Sequence, residues 1–184
     1  MRITGGVARG FNISAPRGSE VRPTSDRVRS AVFQLIEGAV EGATVLDLYA
    51  GTGAMGIEAL SRGASSVVFV EQNPRMCRVI SRNLVATGFS ERGRIRRAKV
   101  EGSLHSLGGP FGVALLDPPY GLPGVSQVLA ELDDLGLIAT DGTVVVEHSR
   151  RESFNQIYGK LHKFDSRRYG DTVVSLYTFE AKEK

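Results

Sequence analysis

Residues 45–60, "VLDLYAGTGAMGIEAL", decide how the rest of the chain is read. Val45, Leu46 and Leu48 make an apolar run of strand length, Gly51, Gly53 and Gly56 follow as G-x-G-x-x-G, and Ile57 opens a helical stretch. A strand, a glycine turn and a helix in that order form the ligand loop of a nucleotide-binding α/β sheet, because glycines admit a ligand to the backbone at the helix N-terminus. Glu71 closes a second apolar run, "VVFVE", twenty residues beyond Gly51, where a carboxylate takes ribose hydroxyls. Nicotinamide dinucleotides and S-adenosylmethionine both satisfy this spacing. Asp47 favours the second: beside the glycines it repels a pyrophosphate but attracts an ammonium and a sulfonium. The expected cofactor contacts are Asp47, Tyr49, Gly51, Thr52, Gly53 and Glu71. Adenine is expected at the backbone amide of Val100 or at Glu101, since Lys99 stands where such folds carry an acid.

Downstream, the apolar run Val113–Leu116 leads without a spacer into "DPPY", Asp117–Tyr120. Prolines cannot continue a ladder and fix φ near −65°, so a carboxylate and an aromatic ring leave the strand in one stiff conformation. In an open parallel sheet this strand end faces the cofactor loop. An exocyclic amine on a nucleobase is a poor nucleophile. Asp117 and the Pro118 carbonyl can accept its two N–H bonds and draw the nitrogen toward sp³ geometry, while Tyr120 stacks on the flipped base. Carbon methylation of cytosine needs an attacking thiolate, and the single cysteine, Cys77, lies on a helix away from this turn.

Strands are expected at Thr44–Leu48, Val67–Val70, around Ile95, at Val113–Leu116 and at Thr143–Val146. Helices lie between them at Ile57–Arg62, after Asn73 as N-cap with Pro74 in the first turn, and at Val125–Leu135. Continuous apolar strands alternating with amphipathic helices predict a mostly parallel sheet covered on both faces. A short helix is expected near Phe154–Ile157, and "YGDTVVSLYTF" reads as an antiparallel C-terminal hairpin turning at Gly170-Asp171.

The first forty residues read as a separate extension, 1–40, on a core of 41–184. "MRITGGVARGFNIS" gives two extended runs around glycines, a β-hairpin, and Thr24 is the expected N-cap of a helix carrying Val28, Ala31, Val32, Leu35 and Ile36. Of the 23 basic residues 18 are Arg, and Arg2, Arg9, Arg17, Arg22, Arg27 and Arg29 crowd residues 1–29 against only Glu20 and Asp26. Arginine recognises phosphate bidentately, so these six are candidate contacts to nucleic-acid phosphates; a solvated basic hairpin, with Arg22 and Arg29 bracing loops, is the alternative. His105, His148 and His162 have no metal spacing, so no metal is expected. One cysteine suits a reducing cytoplasm, and no run approaches 18 apolar residues, which argues against a membrane span. No apolar stripe is left over, so a monomer is expected.

The chain resembles the bacterial 16S ribosomal RNA guanine-N2 methyltransferases of the RsmD type. The likeness rests on "MRITGG", "RPTSDRVRSAVF" at 22–33, "VLDLYAGTGAMGIEALSRGA" at 45–64, "LLDPPYG" at 115–121, "VVVEHS" at 144–149 and "RRYGDTVVSLY" at 167–177. It implies a Rossmann-like S-adenosylmethionine fold and transfer to the 2-amino group of guanine 966 in 16S rRNA, on the small subunit or an assembly intermediate. It also implies cofactor binding by Asp47, Gly51, Gly53 and Glu71, and a grip on the base by Asp117, Pro118 and Tyr120. Lys99 departs from the family, which carries Asp there. A DNA amino-methyltransferase uses the same D-P-P-Y chemistry but needs a target-recognition region, for which about forty residues outside the core leave little room. A dehydrogenase is opposed by Asp47, and a vestigial binding module by the intact glycines, Glu71 and D-P-P-Y.

Overall fold

The computed structural model describes residues 1–15 and 25–179, so Arg17, Arg22 and the expected cap Thr24 lie outside the described residues. In chain order the elements are α1 (Asp26–Leu35), α2 (Glu37–Val40), β1 (Thr44–Leu48), α3 (Ala54–Ser61), β2 (Ser66–Glu71), α4 (Pro74–Thr87), β3 (Gly93–Arg97), β4 (Phe111–Leu116), α5 (Val125–Asp134), β5 (Ile138–Ser149), β6 (Ile157–Tyr158), β7 (Leu161–Tyr169) and β8 (Thr172–Thr178). The sheet order is β3-β2-β1-β4-β5-β8-β7-β6. The first five strands run parallel, and β8, β7 and β6 join antiparallel. This is a Rossmann-like α/β sheet, with the order reversing between β1 and β4.

Local chemistry sets the boundaries. The Asn73 side chain accepts the Arg75 N–H at 2.8 Å, Pro74 sits in the first turn where no N–H is missed, and Gly88 ends α4 at φ 75°. The strands are apolar on both faces because both are covered. Val45, Phe69, Val113 and Val145 pack with Val32, Phe33, Ile57 and Ile80 on one side. Leu46, Leu48, Ala114 and Val144 pack with Val128, Leu129 and Leu132 of α5 on the other. Each fully buried aliphatic or aromatic side chain contributes about 1.5–3 kcal/mol by leaving water. Ile3 and Ile13 from the N-terminal segment join the first of these cores.

Two local expectations change, and a third shortens. Helix α1 is capped by Ser25, whose hydroxyl accepts the Val28 N–H at 3.2 Å. The N-terminal hairpin is present but short: around the antiparallel Arg2–Asn12 bridge Ile3 N–H donates to the Phe11 carbonyl at 2.9 Å and Ile13 N–H to the Met1 carbonyl at 3.0 Å, and between these ends the chain folds over α3. Val7 N–H donates to the Ser61 carbonyl at 2.8 Å and Ala8 N–H to its hydroxyl at 2.9 Å. Gly6 permits this docking: its φ is +76° and a Cβ there would lie 1.8 Å from the Ser61 carbonyl oxygen. Around Phe154–Ile157 there is no helix. That stretch runs into β6, where Tyr158 is buried beside Tyr177, with ring centroids 5.7 Å apart. Its hydroxyl accepts the Asn155 N–H at 3.0 Å, a bond that replaces helical pairing.

Among the described residues no helix is long and apolar enough to cross a membrane, and no cluster of three or more His, Cys, Asp or Glu has metal-binding geometry.

Candidate active site at the carboxyl edge of the sheet

Strand β1 ends at Leu48, and the chain turns sharply through residues with positive φ: Tyr49 at 60°, Gly51 at 55° and Gly53 at 79°. Among the described residues Tyr49 is the one non-glycine in that region. Such a conformation costs about 1 kcal/mol or more for a side chain with a Cβ. Its phenol donates to Glu101 Oε1 at 2.7 Å, and burial, then the Glu101 carboxylate, raises its pKa. The three glycines have separate reasons. Gly51 and Gly53 supply the turn, whereas a Cβ on Gly56 would stand 2.3 Å from the Phe69 ring, so Gly56 lets α3 lie against β2.

Two carboxylates brace the turn. Asp47 is 1% exposed and accepts the Gly56 N–H at 2.9 Å. Burial above all, with the negative charges of Asp117 and Glu71 adding to it against the Gly56 hydrogen bond, pushes its carboxyl up to about 8. Glu71 accepts the Gly51 N–H at 2.9 Å on one oxygen and the Asn73 N–H at 2.6 Å on the other. Each of its oxygens keeps a second lone pair, so the clamp leaves it able to accept ribose hydroxyls. Val100, past β3, is buried, and Lys99 is exposed. Glu101 therefore reaches across the loop through Tyr49, and nothing places Lys99 at the site.

D-P-P-Y sits directly alongside. Leu116 pairs with Leu48 of β1 and with Val146 of β5, so Asp117 leaves the sheet beside Tyr49. Asp47 lies opposite Leu115. Side-chain alternation then puts Asp117 on the face that Asp47 occupies, in agreement with its effect on the Asp47 proton. Pro118 is buried, and Tyr120 is 43% exposed, with its hydroxyl sharing a 2.7 Å hydrogen bond with Thr172 Oγ1. Gly121 N–H donates to Glu152 Oε1 at 3.0 Å.

The basic candidates divide. Arg2, Arg9 and Arg27 are exposed. Arg29 is not available to RNA: it is 0% exposed, its Nε pairs with Glu58 Oε2 at 3.1 Å, and its Nη2 bonds Asp26 Oδ1 at 2.9 Å and the Arg2 carbonyl. Glu58 also takes the Arg62 Nε at 2.9 Å and the Thr4 N–H at 2.9 Å. A sequence signal exists for this: Arg29 falls on the same helical stripe as Val32, Phe33 and Ile36.

Sequence reasoning missed Asn83, Glu152 and Thr172. Asn83 is buried on α4, where its Nδ2 donates to the Thr52 and Ser14 carbonyls, both at 3.1 Å, and its Oδ1 accepts the Ser14 N–H at 3.0 Å. No local pattern announces contacts between residues so far apart in the chain. His148 is buried against Phe154 and bonds Ser175 Oγ at 2.9 Å; burial lowers its pKa, a packing role. Burial, then Glu71, raises the pKa of the Cys77 thiol, which makes it a poor nucleophile.

A glycine turn and two carboxylates at the ends of β1 and β2, with Asp117 and an exposed ring at the adjacent end of β4, define a Rossmann-like methyltransferase of the S-adenosylmethionine-dependent class. The comparisons narrow this. The family described as Conserved hypothetical protein 95 matches residues 1–178. YlbH of Bacillus subtilis (strain 168) is 32% identical over 180 residues, covering 96% of this chain and 98% of that protein. Ribosomal RNA small subunit methyltransferase D of Escherichia coli (strain K12) is 29% identical over 182 residues, covering 99% and 91%. The solved structure of yhhF from Escherichia coli superposes with a TM-score of 0.86 at 29% identity, covering 99% of each chain. The chain belongs to the RsmD-type methyltransferase family.

Proposed function

We propose that the chain methylates the exocyclic 2-amino group of a guanine in 16S rRNA, guanine 966, on the small ribosomal subunit or an assembly intermediate, and works as a cytoplasmic monomer. The observation that carries this reading is Asp117 at a strand end neighbouring that of the Asp47 and Glu71 carboxylates, with an exposed Tyr120 three residues further along the chain. The name of the Escherichia coli relative supports ribosomal RNA as substrate.

The residues present fit S-adenosylmethionine. Asp47, held protonated at neutral pH by burial, regains its charge beside an ammonium group. Glu71 has lone pairs left for the ribose, and the positive-φ turn at Gly51 and Gly53 admits a ligand to the backbone. Adenine falls to the Val100 amide and apolar walls. When bound, the cofactor supplies an electrophilic methyl on a sulfonium.

The rest of the chemistry belongs to the chain. Asp117 and the Pro118 carbonyl accept the two N–H bonds of the guanine amine, which pulls the nitrogen out of conjugation and frees its lone pair. Such preorganised acceptors contribute a rate factor on the order of 10²–10³. Tyr120 stacks on the flipped base, and Arg2, Arg9 and Arg27 neutralise phosphates around it.

The test is transfer of labelled methyl to small subunits that lack the modification, with naked RNA, duplex DNA and Asp117→Ala protein in parallel. Label on N2 of one guanine, lost in Asp117→Ala, supports the reading. Label on DNA alone, or stabilisation by NAD and not by S-adenosylhomocysteine, overturns it.

A further inference from the structure

The C-terminal hairpin does more than close the sheet. Its turn is fastened to the end of β5: Arg150 N–H donates to the Asp171 carbonyl at 2.9 Å, and the Arg150 guanidinium pairs with the Asp171 carboxylate at 2.7 Å. Thr172 opens β8 directly after this turn, opposite Ser149, and is only 7% exposed. From there its hydroxyl meets the Tyr120 hydroxyl at 2.7 Å. Just beyond the ring, Glu152 holds the Gly121 N–H at 3.0 Å with one oxygen and the Ser149 N–H at 2.8 Å with the other. The loop carrying Tyr120 is thus held at the ring tip and at the next backbone amide by the same corner of the sheet.

The chemistry of that grip is selective. A tyrosine packed for stability hides its ring, but Tyr120 leaves 43% of itself exposed while its polar tip is anchored. A hydrogen bond at the far end of the ring restricts both side-chain torsions, and a stacking platform needs that fixed orientation.

We propose that Thr172 is a positioning residue for the base-binding ring: through its hydroxyl it holds Tyr120 in the orientation that receives the flipped base. This rests on the methyltransferase reading above. Thr172→Val removes the hydroxyl at nearly constant shape, and Thr172→Ser retains it. Single-turnover methyl transfer to small subunits should fall roughly three- to ten-fold in Thr172→Val, the range of one neutral hydrogen bond. It should recover in Thr172→Ser and fall equally in Tyr120→Phe, and the double variant should be no worse than either single one. Affinity for S-adenosylhomocysteine should not change, whereas a general structural defect would weaken it.

Wild-type rate in Thr172→Val, or losses that multiply in the double variant, overturns the proposal. Should the wild-type protein methylate no nucleic acid, the functional reading fails separately and ring dynamics decide. Carbon-13 relaxation of the Tyr120 ring, assigned with Tyr120→Phe, should show added motion in Thr172→Val, and unchanged relaxation overturns the proposal.

Discussion

Arg29→Met tests the assignment of this arginine to structure. Methionine keeps most of the aliphatic stem, so packing changes little and the substitution isolates the charge. It leaves Glu58, with a fully buried side chain, short of one of its two guanidinium partners while Arg62 and Thr4 remain. Removing one partner of a buried pair costs about 3–5 kcal/mol, and the surviving contacts bring this to about 3 kcal/mol. At about 2–4 °C per kcal/mol for a chain of this size, the thermal midpoint should drop by about 6–12 °C. Calorimetry and urea unfolding would measure it. Arg29→Met/Glu58→Gln should recover part of the loss, because the stranded charge goes with it. A midpoint within about 2 °C of wild type, or an RNA salt slope flattened by a whole phosphate contact, would refute the reasoning.

Alanine at Arg2, Arg9 or Arg27 should leave stability alone but weaken RNA binding and reduce the slope of log affinity against log salt by about one unit each, read by binding titrations from low to physiological salt. Gly56→Ala drives a methyl into the Phe69 ring, and should cost about 1–3 kcal/mol in urea unfolding while weakening S-adenosylhomocysteine binding. The Asp47 carboxyl, raised to about 8 in the fold from 3.8, binds its proton more tightly folded than unfolded. Its contribution is fully present below about 4 and is lost as pH rises toward about 8. Stability without cofactor should therefore decline across that window, and Asp47→Asn should flatten the decline in thermal melts at stepped pH.

Strong local patterns made most of the sheet legible. The glycine loop, Asn73-Pro74, the apolar runs and D-P-P-Y each declare their structure locally, and they located β1–β5 and the strand ends where the candidate site lies. Where the reading failed or stopped short, a distant partner decided. The N-terminal segment lies over α3 because Gly6 fits against Ser61, and Arg29 is drawn inward by Glu58. Tyr158 turns a helical-looking stretch into β6 by packing on Tyr177. Thr172 stood in plain view inside "RYGDT", but its role depends on β8 pairing with β5, which brings it to Tyr120.

The position of β4 also orders events during synthesis. The glycine loop belongs to the part made first, where β1 pairs with β2 and β2 with β3. Until β4 is translated and settles beside it, β1 is an edge strand with unpaired backbone groups, the kind of border that recruits foreign strands and aggregates. The strand that removes this hazard is the one that ends in Asp117. Asp117 therefore reaches its place only as that edge is covered, whereas the hydrogen bond that steadies Tyr120 waits for Thr172 at the start of β8.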